Sequence, residues 1–198
     1  MALRTLLLAT LLPGLAAAQD YPGDMPLSRV LIDGEGWQGV SEGLQYALGL
    51  AVDRDGNVYF SDTPASRIHK VDPAGKVTVF AENTGQTSGI MVGPDGRLYG
   101  CRNAEKKLVA YAMDGSVQTI AEGVDTNHLV VNAEGEIWFT ESRGGKIVHV
   151  PPGGAPKAVA EGLRPNGIVL SPDQGTLFTT DPIEATLWTY RIQADGTL

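Results

Sequence analysis

The chain has 198 residues, of which 42% are hydrophobic and 19% charged, a composition typical of a soluble globular domain with a sizeable core. Its formal net charge of -8 and the lack of any basic stripe exclude nucleic acid as a partner. The same lack of clustered Lys and Arg argues against binding to an anionic membrane surface.

The first residues have the pattern of an export signal. Arg4 precedes an apolar run from Leu6 to Leu15, and three small residues, Ala16 to Ala18, stand before Gln19. A membrane anchor is the alternative, but this run is shorter than the ~20 apolar residues that span a bilayer. We therefore predict a signal peptide over residues 1–18 and a secreted or periplasmic protein.

Cysteine use limits how the fold can be stabilised. Cys101 is the single cysteine of the chain, so no internal disulfide can form even in an oxidising compartment. Stability must come from packing, and we expect Cys101 to be a buried small hydrophobic residue.

An internal repeat organises most of the sequence. Four segments align, and their starts are 40, 39 and 39 residues apart. Each has an apolar strand, a tight turn with an acidic residue or Gln before Gly, and a second strand rich in aromatic and β-branched residues. The segments begin at Leu48, Ser88, Asn127 and Asn166.

A third strand follows each hairpin, and in three of the four repeats a fourth strand follows it. In "KVTVFAE" the apolar positions Val77, Val79 and Ala81 alternate with other residues, which is typical of a strand with one buried face and excludes a helical repeat. Four antiparallel strands in about 40 residues predict a blade of a β-propeller. We predict an all-β propeller with about four blades over residues 44–198, the last one incomplete, after an N-terminal segment, 19–43.

Equivalent residues of a propeller converge on its axis, because the first strand of each blade lines the central channel. Leu48, Ser88, Asn127 and Asn166 are therefore expected to form part of a ring at one mouth of the channel. Asparagine oxygens are hard neutral donors that suit Ca²⁺, although this ring is poor in charge. The alternative is that the two asparagines cap turns through their own backbone.

Other polar residues give weaker signals. Asp53, Asp55 and Asn57 resemble a calcium loop, but we interpret them as a turn, because no bidentate Glu follows at loop position twelve. His128 is the one histidine predicted to reach a ligand in the channel, since His69 and His149 lie on third strands. A solvated rim is predicted for the residues that close two of the second strands: Arg102, Asn103, Glu141, Ser142 and Arg143.

From about residue 44 onward, the chain resembles the senescence-marker/gluconolactonase family of six-bladed propellers. The resemblance is carried by "GLAVDRDGNVYFSDTPASRIHKVDPAGKVTVF" and "PNGIVLSPD". It implies hydrolysis of sugar lactones or related esters with a divalent cation on the axis, Ca²⁺ first and Zn²⁺ or Mg²⁺ as alternatives. It further implies that Asn166 is a metal ligand and that Asn127 lies beside the substrate. Ser88, from its position in the ring, and His128, next to Asn127, are the further substrate-site candidates.

Two departures from the family pattern concern acidic residues. The first-blade Glu of the family falls at Leu48, and Glu42 is out of register with it. The sequence also stops inside its fourth blade, before the region where the family supplies an Asp. The chain is thus either a part of a longer protein, which we favour, or a short protein without the full catalytic centre.

A partial ring would leave a sheet face exposed, so we expect oligomerisation. The segment "SRVLIDGEGWQGV" is a candidate outer strand that could close the ring.

The sequence is compatible with three functions. The first is a lactonase-like hydrolase, and the second is a non-catalytic propeller that binds a sugar or a protein, which the Leu48 replacement favours. The third is a lyase, because "NAEGEIWFTESRGGKIVHV" is similar to repeats of streptogramin lyases, which need an axial histidine and Mg²⁺; His128 is the candidate. We predict a small-molecule substrate for both enzymes.

Overall fold

A computed structural model describes residues 39–198 of the chain. Val40–Leu198 form one compact unit. The predicted signal peptide and nearly all of the predicted N-terminal segment lie outside the described residues. In the part that is described, no helix is long and apolar enough to cross a membrane.

The described residues form four antiparallel sheets, one for each sequence repeat. The first blade contains β1 (Ala47–Val52), β2 (Val58–Asp62), β3 (Arg67–Val71) and β4 (Val77–Glu82). The second contains β5 (Thr87–Val92), β6 (Leu98–Arg102), β7 (Lys107–Tyr111) and β8 (Val117–Glu122), with a short 3-10 helix at Asn103–Glu105. The third contains β9 (Leu129–Val131), β10 (Ile137–Glu141), β11 (Lys146–Val150) and β12 (Lys157–Glu161). The fourth contains β13 (Ile168–Leu170), β14 (Thr176–Asp181) and β15 (Thr186–Arg191).

Strands within each sheet are ordered as they occur in the chain, so every blade is an antiparallel meander. The inner strands β1, β5, β9 and β13 contact one another in this order. The predictions of an all-β propeller and of about four blades are confirmed, and the sheet of the fourth repeat has three strands within the described residues.

Tight turns join the first two strands of each blade, as predicted. Gly56, Gly96 and Gly135 have φ of 81°, 79° and 82°, a left-handed conformation that glycine adopts without steric cost. In the fourth blade, which has one extra residue in this turn, Gln174 rather than Gly175 has the positive φ, at 59°.

The hydrophobic core lies between successive blades. Tyr59 and Ile68 of the first blade pack with Leu98 and Val109 of the second. Cys101, 0% exposed, belongs to the cluster between the second and third blades, which confirms its prediction as a buried residue. Between the third and fourth blades, the cluster includes Trp138, Ile147 and Leu177.

Candidate functional site

The inner strands of all four blades line a cavity of about 540 Å³ along the axis. Its wall is mostly aliphatic, because β1, β5, β9 and β13 carry the apolar repeat positions. The polar side chains that line it are those of His128, Ser171 and Gln174. Leu48, the first-blade residue of the predicted ring, also lines the cavity.

The other members of the ring lie at one mouth of this cavity. Ser88, Asn127 and Asn166 each stand one or two residues before the part of the inner strand that lines it. The repeat therefore brings together residues that are 39 positions apart in sequence. Their predicted roles toward a substrate or a metal stay predictions.

Asn127 is joined to the fourth blade through a serine. Its Nδ2 donates a hydrogen bond of 2.6 Å to Ser142 Oγ, which in turn donates to the carbonyl oxygen of Pro165. Asn127 thus bonds a neighbouring side chain rather than capping its own turn. The link fixes the side chain beside the backbone that leads directly into Asn166.

Asn166 is positioned through its backbone. Its N–H donates to the carbonyl of Thr180 at 2.9 Å, and its carbonyl accepts from Thr140 Oγ1 at 2.8 Å. The first bond lies within the fourth blade, whereas the second comes from the third. The residue is therefore fixed from two blades, and its side chain is partly buried.

Ser88 has a structural bond at the same mouth. It is 1% exposed, and its Oγ donates to the carbonyl of Asn127 at 2.6 Å. This bond joins the second blade to the third. The predicted contact of Ser88 with a substrate stays a prediction.

His128 is the ionisable side chain of the cavity wall. Its backbone N–H donates to Thr140 Oγ1 at 3.1 Å, so the strand is tied down at this point. Burial lowers the pKa of His128 below its ordinary value, because the charged imidazolium loses hydration. The imidazole is neutral at pH 7 and can accept a proton or a hydrogen bond.

Sequence reasoning missed the role of Ser142, for which it predicts a solvated rim. The sequence carries no signal for it: the equivalent residue of the first blade, Thr63, also donates to a carbonyl of the next blade, that of Thr87, at 3.0 Å, but this bond is visible only in the structure. Glu141 is likewise more than a rim residue, since its carboxylate accepts from the backbone N–H of Asp125 at 2.9 Å.

The described residues do not assemble an acidic metal site. No group of three or more His, Cys, Asp or Glu side chains that could hold a metal ion occurs in residues 39–198. The sequence Asp53–Asn57 is a turn, as predicted: Asp53 Oδ1 accepts from the N–H groups of Asp55 and Asn57 at 3.0 and 2.9 Å. The axial mouth therefore offers neutral amide and hydroxyl groups.

Comparison with known protein families gives one match. Residues 41–198 match the model of the SMP-30/gluconolactonase/LRE-like region. No curated protein sequence matches the chain.

Several solved structures have a fold similar to that of this chain. The chain superimposes on a gluconolactonase from Xanthomonas campestris with a TM-score of 0.71 and 23% identity, covering 80% of this chain and 62% of that one. It superimposes on the calcium-binding protein regucalcin from Agrobacterium tumefaciens with a TM-score of 0.65 and 20% identity, covering 80% of this chain and 57% of that one. With virginiamycin B lyase from Staphylococcus aureus the TM-score is 0.58 and the identity 16%, and the match covers 76% of this chain and 57% of that one. The chain thus spans about three fifths of the length of these proteins.

Proposed function

Because the chain belongs to the SMP-30/gluconolactonase/LRE-like family, we propose that its axial mouth binds a sugar lactone or a related ester for hydrolysis. The observation that supports this most is the bond of Asn127 to Ser142, which in turn donates to the carbonyl of Pro165, the residue directly before Asn166. Two side-chain amides there can hydrogen-bond the ring oxygens and hydroxyls of one small molecule. The cavity beside them gives room for it.

Asn127 and His128 orient the substrate in this proposal. The Nδ2 of Asn127 is engaged by Ser142, so its Oδ1 is held in a fixed direction as an acceptor for a substrate hydroxyl. His128, neutral at pH 7, can accept a proton at the cavity wall. Asn166, which directly follows Pro165, supplies a second amide.

The residues described do not fit a divalent cation by themselves. Ca²⁺ takes six to eight oxygen ligands and usually carboxylates among them, whereas this mouth has amide and hydroxyl oxygens and Leu48 in place of an acid. We propose that Asn166 is a ligand of Ca²⁺, with Zn²⁺ or Mg²⁺ as alternatives, on the condition that carboxylate groups complete the coordination of the cation. For this chain we expect no tight calcium binding in a calorimetric titration.

Lactone binding and lactone hydrolysis are measured separately to test the proposal. Saturable binding is expected, and Asn127→Ala and Asn166→Ala should each weaken it about five- to tenfold, the value of one net hydrogen bond. Asn57→Ala, in the β1–β2 turn at the other end of the inner strand, is the matched control and should leave the affinity unchanged. No saturable binding of any lactone would refute the proposal.

A non-catalytic binding propeller is the second candidate, and the neutral mouth favours it. Water activation needs a base or a metal-bound hydroxide, and the described mouth has His128 alone for proton transfer. Binding without turnover, with or without Ca²⁺, would assign this function instead of hydrolysis.

A lyase is the third candidate because the fold matches virginiamycin B lyase and His128 lines the axial cavity. Elimination leaves a new carbon–carbon double bond in the product, whereas hydrolysis does not. Mass spectrometry of the product with a cyclic ester substrate distinguishes the two reactions, and loss of the product in His128→Ala would support the lyase.

We propose that the protein is exported. The order of a basic residue, an apolar run and small residues at the N-terminus supports this. The mature protein should begin at Gln19, and N-terminal sequencing of protein from the outer compartment would show this. A retained Met1 in that protein would contradict cleavage.

A further inference from the structure

A groove lies between the second and third blades, at the end of the sheets opposite the axial mouth. Its volume is about 410 Å³. The second blade contributes the β5–β6 turn and β8, and the third contributes the β9–β10 turn and the connection that follows β11. A described blade thus stands on each side of it. We call it the boundary groove, defined by Asp95, Arg97, Gln118, Glu134 and Pro152.

The equivalent space is filled at the two other blade boundaries. At the first, the hydroxyl of Tyr59 contacts Met113 Sδ of the next blade at 3.5 Å. At the third, Trp138 Nε1 donates to the carbonyl of Gly196 in the next blade at 3.0 Å. Tyr99 has the same repeat position at the second boundary, but within residues 39–198 its hydroxyl makes no hydrogen bond to the third blade.

The connection after β11 explains in part why the groove stays open. Residues 151–156 read "PPGGAP", and Pro152 has the repeat position of Met113. The short proline ring fills less of the space beside Tyr99 than a methionine side chain fills beside Tyr59. Proline also fixes the local backbone dihedral, so this wall of the groove is stiff.

Arg97 is held in one orientation at the floor of the groove. Its Nε donates to Asp95 Oδ2 at 2.6 Å, one Nη donates to the Tyr99 hydroxyl at 3.0 Å, and the other Nη donates to Gln118 Oε1. The guanidinium carbon lies 5.4 Å from the centroid of the Tyr99 ring. A guanidinium has five N–H groups, so two remain for a ligand. The bond to Oε1 likewise directs the Gln118 amide, whose Nε2 is a further donor.

The groove combines donors and acceptors with little excess charge. The carboxylate of Asp95 is neutralised by Arg97, with which it forms an ion pair. Glu134, exposed on the third-blade wall, supplies an acceptor and disfavours anions. Apolar surface lies between these groups, from Pro94, Ile120, Ile137, Pro151 and Pro152. Sugars match such a surface, because their hydroxyls both donate and accept while their C–H faces pack against apolar groups.

We propose that the boundary groove binds a neutral hexose, either free or as one unit of a saccharide chain. Arg97 and Gln118 donate to its hydroxyls, and Glu134 accepts from them. The volume is within the range of small-molecule sites. This site is separate from the axial mouth and its proposed lactone, because the β5–β6 turn and Ser88 lie at opposite ends of β5.

NMR titration of the full chain tests the proposal. The probes are the methyl glycosides of glucose, galactose and mannose, which carry no ester and so are not substrates for hydrolysis at the axial mouth. With at least one of them, the Arg97 Nε and Gln118 Nε2 resonances should shift with a shared dissociation constant of about 1–10 mM, as expected for a ligand of this size. The Nδ2 resonance of Asn127 should not move.

The source of the hexose is tested with the disaccharide of the sugar that binds best. Equal affinity for the disaccharide and the methyl glycoside would support a site for a free sugar. Tighter binding of the disaccharide would support a site for a saccharide chain, since the open groove would then contact a second ring.

Two exposed residues at one repeat position provide a matched pair of variants. Gln118→Ala should weaken binding about five- to tenfold, because one net hydrogen bond is lost. Thr78→Ala, at the equivalent position of the first blade, should leave the affinity unchanged. Both side chains are exposed, so the fold should be retained in each variant.

Three results would overturn the proposal. One is the absence of any saturable shift of the Arg97 and Gln118 resonances with all three glycosides up to about 50 mM. A second is an equal affinity of the Gln118→Ala and Thr78→Ala variants. The third is a shift of Asn127 Nδ2 without a shift of Arg97 Nε, which would place the sugar at the axial mouth and leave the proposed function standing.

Discussion

At the scale of single residues, one repeat position explains how the inner strands are held together. Ser61 and Thr140 donate from this position to the next blade, but the second blade has Cys101 here. A thiol is a weak donor. At this boundary the carbonyl of Asn127 accepts from Ser88 Oγ at 2.6 Å and from the backbone N–H of Gly89 at 2.9 Å. Ser88 therefore compensates for the cysteine.

Removing Ser88 Oγ should destabilise this boundary. Ser88→Ala is expected to lower the free energy of unfolding by about 1 kcal/mol, the net value of one hydrogen bond. Adding Cys101→Ser should recover part of this loss, because the new hydroxyl would have the position of Ser61. Urea unfolding of the two variants and of Cys101→Ser alone measures both effects; a double variant less stable than the sum of the single changes would contradict the compensation.

Cys101 should be chemically inert in the folded protein. Burial raises the pKa of its thiol to about 12, because the thiolate would be formed away from water. At pH 8 we expect negligible alkylation by iodoacetamide in native buffer and complete alkylation in denaturant. Rapid labelling of the native protein, detected by mass spectrometry, would show that the second and third blades open at their interface.

At the scale of strands and loops, acidic residues at the ends of second strands hold the preceding segments. Asp62 accepts from the N–H groups of Gln45 and Tyr46 at 3.0 and 2.9 Å. Asp181, at the same repeat position, accepts from the N–H of Arg164 at 2.8 Å. In the second blade the direction of the hydrogen bond is reversed, because the side chain of Arg102 donates to the carbonyl of Asn83 at 3.1 Å. This position fixes each loop that leads into an inner strand.

The Asp62 contact predicts a pH dependence of stability. Burial raises the pKa of Asp62, but the hydrogen bonds from Tyr46 and Gln45, together with smaller contributions from His69 and the N–H of Ala65, outweigh it, and the net pKa is below the ordinary value. Its contribution is therefore present above about pH 3.9, the unfolded pKa, and is lost as the pH falls through the lower folded pKa. Asp62→Asn should lower stability by about 1 kcal/mol at pH 7.

The difference in unfolding free energy between Asp62→Asn and the unmodified chain should narrow as the pH falls below 4. Denaturant unfolding at a series of pH values measures it. A difference that stays constant to pH 2 would show that the charge of Asp62 does not act through these bonds. Asp55→Asn, on an exposed turn, is the matched control and should show little change.

The strands were predictable from sequence, whereas the bonds between blades were not. Alternating apolar residues such as Val77 and Val79, with glycine in each turn, determine the hairpins locally. The bond of Ser142 to Pro165 joins residues of different repeats, and it depends on how one blade is rotated against the next. The spacing of residues in the sequence does not determine how one blade is rotated against the next.

At the scale of the whole molecule, the repeat converts sequence distance into proximity. Asn127 and Asn166 reach one mouth because consecutive blades place equivalent residues around one axis. Their placement could be predicted from the 39-residue spacing, but the participation of Ser142 could not.

The proposed function requires the two axial amides to act on one small molecule, and side-chain amide NMR tests this most directly. On titration with a sugar lactam, a hydrolysis-resistant analogue of a lactone, the Nδ2 resonances of Asn127 and Asn166 should shift together with one dissociation constant. Those of Asn57 and Asn132, whose Nδ2 groups donate to Asp53 and Glu136 in turns, should not move. Shifts confined to one of the two axial amides, or absent from both at saturation, would contradict a shared binding site.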